Sequence, residues 1–129
     1  MKTHLQQFLF VGIGGFIGAI LRFLVSTFAQ NILRAGYFPA GTLAVNILGC
    51  LVIGMLGAAV EQHDFFRLHH RMLLIVGVLG SFTTFSTFGH ETITLLRDQK
   101  IPAAFVNIAL HLILGLTAVV IGFKLVHRA

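Results

Sequence analysis

Four stretches of this chain, from Leu5 to Leu21, Ala35 to Val60, Met72 to His90 and Ile101 to Phe123, carry no Lys, Arg, Asp or Glu. A helix crosses the hydrocarbon core of a bilayer with about 20 predominantly apolar residues, so each stretch reads as a membrane span. The pattern predicts helices over roughly residues 4–31, 41–60, 72–97 and from 101 onward. Polar punctuation lies between them: Arg34-Ala-Gly-Tyr-Phe-Pro39, the connector Glu61 to Arg71, and the short turn Asp98-Gln-Lys100. Pro102 falls in the first turn of the last helix, where its missing N–H costs little. The expectation is an all-α membrane protein, one four-helix transmembrane domain over residues 1–129, with no separate soluble domain.

Composition supports this reading. Of 129 residues 57% are hydrophobic and 10% charged, with a mean hydropathy of +0.93, whereas soluble domains carry about 25% charged residues. Lys2 before an apolar run resembles the start of a signal peptide, yet there is no small-x-small cleavage site and Arg22 interrupts the run, so the first span is expected to be retained. One cysteine, Cys50, excludes an intrachain disulfide framework. The net charge of +5 does not point to nucleic acid, because the nine Lys and Arg are scattered over every loop. They bear on topology instead. Lys2, Arg67, Arg71, Lys124 and Arg128 share one side of a four-span chain, and Arg34, Arg97 and Lys100 the other. Five against three is a weak positive-inside bias.

Small residues recur at helical spacing in Gly14/Gly18, Gly15/Ala19, Gly54/Ala58 and Ala118/Gly122. Such pairs let helix backbones approach closely in lipid, where no hydrophobic drive holds helices together. Four such faces exceed what a small bundle easily satisfies, which leads to an expected homo-oligomer, most simply a two-fold dimer.

The third span contains a polar island, Gly80-Ser-Phe-Thr-Thr-Phe-Ser-Thr-Phe-Gly-His-Glu91. Gly77, Gly80, Ser81, Thr83 and Thr84 weaken helix propensity in mid-membrane. A break there would free carbonyls, which suit a monovalent cation and survive at that depth only when buried in protein or lining a cavity. The other reading is an unbroken helix whose hydroxyls bond back to the preceding turn, and composition by itself leans to that. Phe85 and Phe88 share one helical face, while Thr84, Thr87 and Glu91 form a second stripe. An aromatic ring is positive at its edge and can face an anion without the deep trap of a full charge.

Ionisable and strongly polar groups inside spans are costly and therefore candidates for function. Asn46 has two amide hydrogens to offer an anion, or an interhelical hydrogen bond to make. Arg22 can draw anions into a vestibule or snorkel to the interface. Nothing orders His111 and His90 as axial haem ligands, and a packed, hydrogen-bonded His111 is the expectation.

The segments Gly-Gly-Phe-Ile-Gly-Ala-Ile-Leu-Arg (14–22), Gly-Thr-Leu-Ala-Val-Asn-Ile-Leu-Gly (41–49) and Gly-Ser-Phe-Thr-Thr-Phe-Ser-Thr-Phe (80–88) resemble the Fluc family of bacterial fluoride channels, in motif order and over nearly the whole chain. The resemblance implies an antiparallel, dual-topology homodimer in the bacterial inner membrane, with two fluoride pores and a broken third helix, against the lean of composition. It implies that the Gly80 and Thr83 carbonyls of both subunits hold a central structural sodium ion. It also implies that Phe85 and Phe88 face the anion, that Asn46 donates in the pore, and that Thr84, Ser86, Thr87 and Glu91 lie near the ion path. Ser81 stands where family members often carry a second glycine.

The function so implied is passive, selective export of fluoride, without an enzymatic step. Two other readings remain. A small dual-topology multidrug exporter is similar in size but needs an acidic residue in its first helix, and this chain has none there. A membrane assembly protein with no transport role is the third.

Overall fold

The computed structural model describes residues 2–62 and 68–127, and every regular element among them is helical. Helix α1 runs Lys2–Ile32 and α2 Ala40–Gln62. The third span is composite. It comprises α3 (Leu68–Arg71), a π-helical segment (Met72–Leu79), α4 (Gly80–Phe82) and α5 (Phe85–Arg97). Helix α6 runs Ile101–His127. Four stretches, His4–Ile32, Ala40–Glu61, His69–Arg97 and Ile101–His127, are long and apolar enough to cross a membrane. Arg67 and Arg128, which carry part of the five-to-three charge split, lie outside the described residues, as do residues 63–66 of the connector.

The helices associate as two intimate pairs, α2 with α6 and α1 with the π segment, and glycine sets both contacts. A Cβ built on Gly54 of α2 would collide with the Val119 carbonyl of α6, and one on Gly122 of α6 with the Leu51 carbonyl of α2. In the other pair, a Cβ on Gly14 would strike the Leu73 carbonyl and lie 2.9 Å from the Gly77 Cα. A Cβ on Gly18 would strike the Val78 carbonyl and the Ser81 hydroxyl. The backbones are therefore in direct contact, the arrangement that replaces hydrophobic drive in lipid.

This revises the argument for oligomerisation. Three of the four small-residue pairs are used inside one chain, with Ala58 at 0% and Ala118 at 7% exposure, so they do not call for a second subunit. Only Gly15 of the fourth pair faces open space, with nothing within 4 Å of its virtual Cβ.

The loop between α1 and α2 is tied by one side chain. Gln30 Nε2 donates to the carbonyls of Gly36 (3.2 Å) and Phe38 (3.0 Å), and its Oε1 accepts from the Gly41 N–H at 3.0 Å. That last bond satisfies a donor at the start of α2, where helices leave N–H groups without intrahelical partners. From the neighbouring α5–α6 turn on the same side, Lys100 lies 4.1 Å from the centre of the Tyr37 ring and 4.0 Å from Asp98 Oδ2.

Candidate functional site: a broken helix beside two phenylalanine rings

The third span breaks at Thr83 and Thr84, whose backbones are extended (φ −81°, ψ 157° and φ −152°, ψ 114°) between helical neighbours. The unbroken helix that composition favoured is thus overturned. The approach to the break is already irregular: Met72–Leu79 is π-helical, a form rare in proteins and frequent at functional sites, and the Gly80 N–H reaches back to the Ile75 and Gly77 carbonyls. The turn before the break closes on Leu79, whose carbonyl accepts from both the N–H and the Oγ1 of Thr83 at 3.0 Å.

Asn46 of α2 spans the gap. Its Oδ1 accepts from the Thr84 N–H at 2.9 Å and its Nδ2 donates to the Thr84 carbonyl at 3.1 Å, so one side chain satisfies both main-chain groups of a residue that belongs to no helix. Thr84 then caps α5: its Oγ1 accepts from the Thr87 N–H at 3.2 Å and donates to Thr87 Oγ1 at 2.9 Å, with Ser86 Oγ at 3.3 Å. Threonine is a favoured residue at this position. Gly49, one turn beyond Asn46, has no room for a Cβ because the Thr83 methyl occupies the space.

These bonds have a consequence for two carbonyls. In a continuous helix the Thr84 N–H would serve the Gly80 carbonyl and the Thr87 N–H would serve Thr83. The first is committed to Asn46 and the second to the Thr84 hydroxyl. Gly80 and Thr83 both line a concave face of ≈ 430 Å³ that also includes Asn46, Phe85, Phe88 and His111.

Of the two uses open to the Asn46 amide, the interhelical bond is made: one of its N–H groups donates to the Thr84 carbonyl, which leaves the other N–H over.

Phe85 and Phe88 share a face of α5, with ring centroids 5.5 Å apart. Phe85 is 83% exposed within the chain, whereas Phe88 is half-buried against the His111 ring, 4.3 Å away. One turn further on, Glu91 Oε1 accepts from Thr42 Oγ1 at 2.8 Å, joining α5 to the start of α2. His111 is packed and hydrogen-bonded as expected, its Nδ1 2.9 Å from the Asn107 carbonyl.

Two further cavities adjoin the polar stripe. One of ≈ 480 Å³ opens beside the α1–α2 loop and is lined by Gln30, His90, Glu91, Asp98 and Lys100. A narrower one of ≈ 260 Å³ contains Arg22, Val45, Thr84 and Thr87. Ser26 and Thr42 stand in the walls of both. Arg22 therefore faces a polar groove, half-buried, and does not merely extend toward the interface. Sequence reasoning missed Ser26, Thr42 and Gln30; as single polar residues near helix ends they carry no pattern, and only the approach of α1, α2 and α5 gathers them.

Among the described residues no group of three or more His, Cys, Asp or Glu is placed to hold a metal ion. The carbonyls of Gly80 and Thr83 are hard, uncharged oxygens.

The chain is similar to known proteins over most of its length. The chain is 44% identical to the fluoride-specific ion channel FluC of Sulfurovum sp. (strain NBC37-1) over 118 residues, 92% of this chain and 91% of that protein. It is 40% identical to the fluoride-specific ion channel FluC of Methylobacillus flagellatus over 122 residues, 95% of each. It is 41% identical to fluoride-specific ion channel FluC 1 of Methanosarcina acetivorans over 114 residues, 88% and 86% of the two chains. Residues 9–123 match the profile of the CrcB-like proteins (Camphor Resistance, CrcB), and this chain belongs to that family.

Proposed function

We infer that this protein is a fluoride-selective channel, a multi-pass protein of the plasma membrane that lets fluoride leave the cell down its electrochemical gradient. The observation that carries this reading is the meeting, at one break in a membrane helix, of an amide held by backbone bonds, two phenylalanine rings and a line of hydroxyls. Relatives covering almost the whole chain are named as fluoride-specific ion channels.

Physically, a small anion leaves water only if other donors replace its hydration. Arg22 and the hydroxyls of Ser26 and Thr42 line the approach, and those of Thr84 and Thr87 the narrower part. The remaining Asn46 N–H and the positive edges of Phe85 and Phe88 supply contacts without fixed charge, so the ion is held weakly enough to move on. Ser86, within hydrogen-bonding reach of Thr84, belongs to the same polar path. Glu91, held by Thr42, lies toward the wider cavity. Because hydrogen fluoride crosses membranes as the neutral acid and dissociates inside, passive efflux of the anion relieves accumulation without any chemical step.

The functional unit is an antiparallel, dual-topology homodimer embedded in lipid. Support for it comes from the concave face that holds Gly80, Thr83 and Asn46, whose uncommitted polar groups are costly to leave against hydrocarbon. The weak charge bias also permits either insertion. A two-fold axis through this face would add a second Gly80 and Thr83 pair, giving four carbonyl oxygens for a structural sodium ion.

Fluoride efflux from liposomes containing the purified protein tests the proposal. Efflux of fluoride with retention of chloride is expected. Proton-coupled drug uptake would favour the small multidrug exporter, and no flux of either kind would favour an assembly role.

A further inference from the structure

Asn107 of α6 is fully buried, at 0% exposure, and no part of the ion path described above includes it. Burying an amide among membrane helices is costly unless its polar atoms are bonded. Its Nδ2 donates to Thr92 Oγ1 at 2.9 Å, and Thr92 Oγ1 donates in turn to the Phe88 carbonyl at 2.8 Å, while its Oδ1, equally buried, has no hydrogen-bond partner among the described residues. The main-chain carbonyl of Asn107, one turn back in the same helix, accepts from His111 Nδ1 at 2.9 Å. A carbonyl only accepts, so His111 carries its proton on Nδ1, which fixes the plane of the ring. That ring packs on Phe88 with centroids 4.3 Å apart.

Two supports thus end on the same phenylalanine: the Asn107 side chain reaches its main chain through Thr92, and His111, held by the backbone of α6, packs on its ring. We propose that Asn107 is a positioning residue that, through Thr92, holds α5 at Phe88 against His111 and so sets the orientation of the Phe88 ring. This rests on the reading of Phe88 as an anion-facing ring. A ring edge attracts an anion only over a narrow range of angles, because the face of the same ring is negative. Holding the ring from behind therefore matters more for Phe88 than packing alone demands.

The test replaces Phe88 alone by 4-fluorophenylalanine and records its fluorine NMR signal in detergent and fluoride-free buffer, beside fluoride efflux from liposomes. Thr92→Val keeps the shape of the side chain but breaks both hydrogen bonds. It is expected to shift or split the resonance beyond its linewidth and to slow efflux about tenfold, the scale of one lost hydrogen bond. Thr92→Ser keeps the hydroxyl and is expected to restore both readouts. If Thr92→Val does not fold, Asn107→Leu, which removes the donor at similar volume, replaces it. A resonance that stays in place in the folded variant, or that Thr92→Ser fails to restore, overturns the proposal. A resonance that moves while efflux keeps its parent rate supports the positioning of the ring and overturns the anion-facing role of Phe88 instead.

Discussion

Asn46 and Thr84 are 38 positions apart in sequence, yet the side-chain amide of one satisfies both the N–H and the carbonyl of the other. A peptide unit at mid-membrane has no water to turn to, and an unpaired group there costs several kcal/mol. The break in the third span is therefore not a local property of its glycines and threonines. It exists because α2 presents an amide at the right height.

Asn46→Asp makes the dependence measurable. A carboxylate oxygen replaces the donor, so two acceptors face each other across the 3.1 Å gap to the Thr84 carbonyl. Leaving a buried group unsatisfied costs about 1–3 kcal/mol, which as a loss of the conducting arrangement is about a tenfold fall in efflux or more. A fluoride electrode reading on liposomes checks it, and a parent rate in the Asp variant would contradict the role given to this bond.

Phe85→Ile and Phe88→Ile remove the positive ring edge while remaining apolar. An anion contact of about 1.4 kcal/mol corresponds to a tenfold change, so efflux should fall sharply in each variant while size-exclusion profiles stay at the parent position. Two variants that remain assembled and conduct at the parent rate would reduce these rings to packing.

Gly54 and Gly57 lie in the same helix with different surroundings. A Cβ at Gly54 meets the Val119 carbonyl, whereas one at Gly57 meets nothing within 4 Å. Gly54→Ala should force α2 and α6 apart and destabilise the fold by about 1–3 kcal/mol, the range for overpacking. Gly57→Ala should be neutral or slightly stabilising, because alanine favours the helix. The chain has no Trp, so denaturation in detergent is best followed by circular dichroism.

Dual insertion and sodium are tested together. A reporter fused after Ala129 should reveal both orientations in one membrane, as a five-to-three charge split permits. Exchanging sodium for a bulky organic cation should lower the thermal midpoint of the dimer, since a ligand that binds only the assembled state stabilises it by mass action. A single orientation would rule out the antiparallel pair, and an unchanged midpoint would remove sodium from the proposal.

The linear pattern of residues by itself determined the four spans, because crossing hydrocarbon imposes a length and a polarity that leave few choices. Pro102 at the head of α6 and the shared face of Phe85 and Phe88 were legible for the same reason: both depend on helical geometry within one segment. Whether the third span breaks was not legible from composition, since glycine and threonine tolerate either conformation. The resemblance pointed to the break, and the Asn46 bonds explain it. The partners of the small residues were likewise beyond one-dimensional reading. Gly54 and Gly122 are 68 positions apart, and nothing short of the packed α2–α6 pair distinguishes a contact within the chain from one between chains. The polar path depends most on tertiary structure. Ser26, Thr42 and Asn107 are unremarkable in sequence, and they become wall or support only where helices bring their short side chains within hydrogen-bonding reach of α5 or of a common cavity.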